Sequence, residues 1–152
     1  MTLKSLAETS LRLANGIPHS LVALTARLAV GGVFWRSAQT KVEGFHIKDS
    51  TFYLFREEYK LPLLPPDLAA YMATTFEHIF SVLLLVGLAS RLSAAGLLFM
   101  TAVIQIFVYP DGWPDHILWA TALLLILARG PGAISLDHVV FRRPFAAPAY
   151  VR

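Results

Sequence analysis

The sequence predicts an all-α integral membrane protein: a bundle of four transmembrane helices with a short amphipathic N-terminal helix. Three observations predict it. Hydrophobic residues make up 56% of the 152-residue chain and the mean hydropathy is +0.58, well above an ordinary soluble composition. The excess lies in four blocks, approximately residues 21–39, 68–88, 92–109 and 116–128. All four approach the roughly 20 residues that cross a bilayer; the last is short, and Trp113 and Pro114 extend its outer end. Helix breakers and charges separate the blocks, notably Ile17-Pro18, Pro65-Pro66, Ala89-Ser90-Arg91 and Gly130-Pro131-Gly132.

Composition also excludes function classes. The net charge is +3 and the pI near 9.5, but the basic residues flank apolar blocks instead of clustering on a soluble face. Positive-inside bias accounts for them, and no nucleic-acid partner is expected. The chain has no cysteine, so it can supply neither a thiol–disulfide relay, nor an iron–sulfur cluster, nor a cysteine-based zinc site.

Residues 1–18 read as an amphipathic interfacial segment, with Leu3, Leu6, Leu11 and Leu13 set among Lys4, Glu8 and Arg12. A secretory signal would need a continuous apolar core and a small-residue cleavage site, and neither is evident. Residues 19–141 form the four-span bundle, and residues 142–152 a basic tail holding Arg142, Arg143 and Arg152. In the first span Arg27 and Arg36 stand nine residues apart, which at about 100° per residue points them to opposite faces. Gly31 and Gly32 between them let a neighbouring helix approach closely. The connection 40–66 is the longest; residues 51–59 within it predict a short helix that lays Phe52, Phe55 and Tyr59 on the bundle.

The second span carries Glu77 and His78 near its middle. A carboxylate in hydrocarbon is costly, so it faces the bundle interior and requires a partner. Helical spacing groups Glu77 with Ala73, Thr74 and Ser81 in a small, polar stripe. The third span sets Thr101, Gln105 and Tyr109 at successive i,i+4 positions. A breaker-rich turn, residues 110–114, then leads to Asp115, His116 and Trp119 at the start of the fourth.

Depth decides which side chains can meet. At about 1.5 Å per residue, Glu77 lies roughly 13 Å below the outer edge of its span and Arg36 about 6 Å below its own. Arg27 falls near 20 Å from the outside of a core about 30 Å thick. Either arginine is then within an arginine side chain's reach of Glu77, and Arg27 is the favoured partner because Arg36 can snorkel to the interface alone. An outward-opening polar pocket follows, with Arg27, Arg36, Glu77, His78, Gln105, Tyr109, Asp115, His116 and Trp119 as candidate ligand-binding residues. The same residues are also compatible with a purely structural role in which buried polar groups specify packing. Paired haem ligation by His78 and His116 does not fit, because their depths differ by roughly 10 Å. No bound metal or haem is expected.

Orientation follows from the basic residues. Lys4, Arg12, Arg91, Arg129, Arg142, Arg143 and Arg152 lie on one side; Lys41, Lys48, Arg56 and Lys60 lie on the other. This predicts a multi-pass protein of the bacterial cytoplasmic (inner) membrane with both termini in the cytoplasm. Tyr59, Tyr71, Tyr109, Trp113 and Trp119 would then form an outer aromatic belt.

An ordered set of motifs carries a family resemblance. The first span has Arg27, Gly31, Phe34 and Lys41 in an RLxxGxxF…K pattern. The second has Leu61-Pro62, Pro65-Pro66, Glu77 and the run from Leu84 to Arg91. The later spans have the Gln105-Ile106-Phe107-Val108-Tyr109-Pro110 run, Trp113-Pro114 with His116, Gly130-Pro131-Gly132 and Ser135-Leu136-Asp137. Over residues 21–141 the chain resembles the DoxX family of small bacterial membrane proteins. It departs in having Phe80-Ser81 where many relatives have glycine or proline. The resemblance implies a four-span helical bundle. For function it implies a membrane subunit of a redox-linked complex, some relatives resembling subunits of quinone-linked oxidoreductases. The expectation is therefore a quinone-like or other small amphipathic ligand in the outer pocket, a protein partner that supplies electrons, and the lipid bilayer around both; a homodimer is compatible with so small a bundle. A non-catalytic anchor or scaffold, and an accessory of small-molecule or metal-linked export, are the alternatives.

Overall fold

The structure, a computed structural model, describes residues 3–141; the basic tail, residues 142–152, lies outside the described residues. Helix α1 (Leu3–Asn15) is followed by α2 (His19–Thr40), a small antiparallel hairpin of β1 (Val42–Glu43) and β2 (His46–Ile47), and α3 (Asp49–Leu54). A π-helical turn, Phe55–Tyr59, continues α3. Then come α4 (Pro66–Val86), α5 (Ser90–Val103) with its own π-helical turn Ile104–Val108, α6 (Trp113–Arg129) and α7 (Leu136–Val140). The all-α bundle is as expected.

By length and composition three helices can cross a membrane: α2, α4, and α5 taken with its π turn. The fourth, α6, is 17 residues long and packs against both α2 and α5, completing the bundle. Their boundaries have local causes. Pro18 stands just before α2; its missing amide donor costs nothing at a helix start. Pro66 opens α4 with Asp67 in the first turn, where a carboxylate complements the helix dipole. Gly87, at φ 76°, ends α4: its N–H donates to Leu84 O and the Leu88 N–H to Leu83 O, the paired bonds of a Schellman cap. The chain reverses into α5 within three residues, so α4 and α5 pack as an antiparallel hairpin.

The bundle core holds Val30, Phe34, Leu84, Leu97, Leu123 and Ile126. On α4 the predicted stripe is buried, with Thr74, Glu77 and Ser81 turned inward. It packs on α2 at Gly31, where an added Cβ would sit 3.1 Å from the Leu85 side chain. A second, smaller core lies at the other end of α4, where Phe55 meets Ala69 and Ala70 under Phe52, Tyr59 and Leu61. The apolar face predicted for residues 51–59 is the one that docks. The hairpin at residues 42–47 was not expected, since two-residue strands carry almost no alternation to read.

Candidate functional site

Lys41 follows α2, and its side chain turns back along the helix. Its Nζ donates to Glu77 Oε2 at 2.7 Å and to the Ser37 hydroxyl at 2.9 Å. Both charges are nearly dry, Lys41 being 8% and Glu77 3% exposed. The hairpin and α3 hold the lysine from the other side: the Lys41 carbonyl accepts from Lys48 N at 3.1 Å and from the Thr51 hydroxyl at 3.0 Å.

The expected pairing of Glu77 with Arg27 or Arg36 is therefore corrected, and the register of α2 against α4 explains why. Gly31 lies against Ser81 and Leu85, while Arg27 lies against Gly87 at the far end of α4. Arg27 precedes Lys41 by fourteen residues, about 21 Å along the helix. Its guanidinium is buried and donates to the Ile134 carbonyl, with Nε and Nη1 making no hydrogen bond among the described residues. Arg27 thus fastens the segment after α6 to the bundle. Arg36 is exposed. Reach in depth was not enough, because the lysine reaches down from the end of its helix by a full turn.

On its other side Glu77 lines a cavity of about 340 Å³ between α4 and α5. Ala73, Phe76 and Phe80 form one wall, and Phe99, Val103 and Ile104 the other. The 55–64 segment closes one end. Gly96 lets the Phe80 ring lie flush on α5, since a Cβ there would overlap it. Among the lining residues only Glu77 and Tyr59 carry an oxygen on the side chain. The volume is at the small end of ligand pockets, which are mostly apolar with a few placed polar groups.

Tyr59 closes the π turn after α3, and Tyr109 follows the π turn after α5. Their hydroxyls are 3.4 Å apart and their rings meet edge to face at 5.5 Å. Burial, then the Tyr109 hydroxyl, push the Tyr59 phenol well above its ordinary pKa, so it stays a neutral donor. Such turns shift the side-chain register by one residue and recur at functional sites. Here they bring the two tyrosines together beside the cavity.

The remaining candidates assemble elsewhere. His78 turns toward α2: Nδ1 is 2.7 Å from Thr74 O, Nε2 is 3.1 Å from Gln39 Nε2, and the ring meets Trp35 edge-on. Gln105, His116 and Trp119 form a cluster of their own. His116 Nδ1 is 2.7 Å from Gln105 Oε1, Gln105 Nε2 donates to Pro110 O, and the imidazole tilts against Trp119. Gly112 makes room for it, because a Cβ there would come within 2.6 Å of His116 Cε1. Asp115 is exposed in the first turn of α6. The residues expected in a single pocket thus fall into three groups: Glu77 with Tyr59 and Tyr109, Gln105 with His116 and Trp119, and His78 with Gln39 and Trp35. Sequence reasoning missed Lys41, Ser37 and Tyr59, although Lys41 stood in the motif of the first span. Among the described residues no group of three or more His, Cys, Asp or Glu is placed to hold a metal ion.

The DoxX family model matches residues 22–110, more than half of the chain. The chain belongs to the DoxX family. The matched stretch holds Arg27, Lys41, Glu77 and Tyr59 and both helices that wall the cavity. The match ends before α6, so His116 and Trp119 lie outside it while Gln105 and Tyr109 lie within. An uncharacterised protein of Haemophilus influenzae is 25% identical over 136 residues, covering 83% of this chain and 87% of that protein. No solved structure matches.

Proposed function

We propose that this DoxX-family protein binds a small amphipathic ligand from the membrane, with its apolar body between α4 and α5 and its polar head at Glu77 and Tyr59. The observation that carries the reading is the make-up of that cavity: hydrocarbon walls around one carboxylate held by Lys41 and one neutral phenol. The two groups are complementary. An ionised carboxylate only accepts hydrogen bonds, whereas a phenol can donate one. A quinone-like head suits such a pair, its carbonyl accepting from Tyr59 and, when reduced, its hydroxyl donating to Glu77. The protein then serves as the membrane subunit of a redox-linked complex whose electrons come from a protein partner. Glu77 or Tyr59 would take part in moving the accompanying protons. The distribution of lysine and arginine supports a place in the bacterial cytoplasmic membrane with both termini inside.

The test is mass spectrometry of small molecules retained by the wild type, Glu77→Gln and Val103→Trp in mild detergent. A quinone or related amphipathic molecule held by the wild type and lost from the folded Val103→Trp variant, whose new ring fills the cavity, supports the reading. If all three retain the same annular phospholipids and nothing else, the buried pair serves packing and the protein is an anchor for its partners. That second reading has its own support: Lys41 and Glu77 tie α2, the hairpin and α4 together. The export alternative needs a continuous polar path, and the cavity's two polar side chains make a poor one.

A further inference from the structure

We infer that α1 lies in the membrane surface at the end of the bundle where α2 begins, with its apolar face among acyl chains and its polar face, with Arg12 and the neighbouring Arg91 and Arg129, among anionic headgroups. At 100° per residue, Leu6, Ala7, Leu11, Leu13 and Ala14 occupy an arc of about 160°, while Glu8, Arg12 and Asn15 fall on the opposite side. Ser10 falls within the apolar arc, but its hydroxyl is already bonded to Leu6 O at 2.9 Å. The bundle leaves the apolar face open: Leu6 is 47%, Leu11 62% and Leu13 72% exposed.

The connection to α2 says what covers that face. Only Gly16, Ile17 and Pro18 separate α1 from a helix long and apolar enough to cross the bilayer. Three residues span at most about 10 Å, so α1 remains at the boundary where α2 enters. Ile17, 56% exposed, continues the apolar surface into that boundary. Charge points to the kind of lipid. The same end of the bundle carries exposed Arg12, Arg91 and Arg129. His19 Nε2 lies 3.3 Å from Gly130 O and Arg91 reaches Ala128 O, which places the start of α2 beside the end of α6 and the start of α5. Glu8 is the one acidic residue in α1. Asp137, near the same end, has its carboxylate occupied by the Ala89 and Ser90 amides. A rim of cations above an apolar helix face is the pattern that binds anionic membrane surfaces.

The absence of cysteine gives a clean test. Single cysteines at Leu6→Cys, Leu13→Cys, Glu8→Cys and Asn15→Cys are spin-labelled in the full chain. The protein is then placed in nanodiscs of phosphatidylcholine, with or without phosphatidylglycerol. The ratio of oxygen to water-soluble nickel accessibility should be several-fold higher at positions 6 and 13 than at 8 and 15. It should rise further at 6 and 13 with phosphatidylglycerol, and that increment should be lost in an Arg12→Gln/Arg129→Gln background. Equal water access all round the helix would overturn the inference, as would protection at 6 and 13 that disappears when each disc holds one copy. An increment that survives the arginine replacements would overturn the headgroup assignment.

Discussion

Lys41 Nζ lies 2.7 Å from Glu77 Oε2, joining the end of α2 to the middle of α4. The two side chains are 10% and 4% exposed, so neither charge has water to fall back on. Removing one partner of a buried pair costs about 3–5 kcal/mol, because the other is left uncompensated, whereas replacing both with apolar groups is often neutral. Lys41→Met is therefore expected to lower the unfolding temperature sharply in detergent, and Lys41→Met/Glu77→Met to recover most of the loss. A single variant as stable as the wild type would show that the pair is not buried together.

The other ion pair of the described residues should behave in the opposite way. Arg56 makes a two-pronged contact with Asp67, at 2.7 and 2.6 Å, but both side chains are more than half exposed. The Asp67 hydrogen bonds hold the Arg56 guanidinium above its ordinary pKa without isolating it from solvent. Screening and side-chain entropy cancel most of such a contact. Arg56→Ala should leave the unfolding temperature unchanged within error, at low and at high salt.

How far the fold was legible follows from what each signal measures. The spans and the buried stripe of Thr74, Glu77 and Ser81 were readable because hydropathy and helical spacing report one helix at a time. The partner of Glu77 was not, because depth gives only one coordinate. The register of α2 on α4 is set by Gly31 against Leu85 and Gly87 against Arg27, contacts that no single-helix pattern contains. Lys41 enters the sequence reading only as a flanking charge and a motif position, yet a four-carbon stem lets an ammonium reach back a full turn to Ser37. Tyr59 and Tyr109 were expected near one interface, but their meeting depends on two π turns that have no sequence period.

Gly87 is expected to tolerate no side chain. Its φ of 76° alone penalises a substituent by about 1–3 kcal/mol. A Cβ would also overlap the Arg27 guanidinium and stand 2.6 Å from Ser135 Cβ. Gly87→Ala should thus cost more than the backbone strain, measured by thermal unfolding. Adding Arg27→Ala should relieve it only in part, because the Ser135 Cα backbone atom remains 2.9 Å from the new methyl.

Asp137 caps a helix it does not belong to. Its two carboxylate oxygens accept from Ala89 N at 2.7 Å and Ser90 N at 2.9 Å, the first amides of α5. Loss of a helix cap costs about 1 kcal/mol, within a range of roughly 0.5–2. Asp137→Ala should lower stability by about that much and also free the segment after α6, seen as faster limited proteolysis there. Asp137→Asn, which keeps one acceptor oxygen, should fall between.

The most direct test of the ligand site is photo-crosslinking in native membranes. A photoreactive phenylalanine analogue replaces Phe99, which lines the cavity yet is 71% exposed, and for comparison Leu28 on α2. The site described above predicts one dominant small-molecule adduct at position 99 by intact mass, an amphipathic molecule with an oxygenated head, absent at position 28 and lost with Val103→Trp. The same ladder of bulk phospholipid adducts at both positions would contradict it.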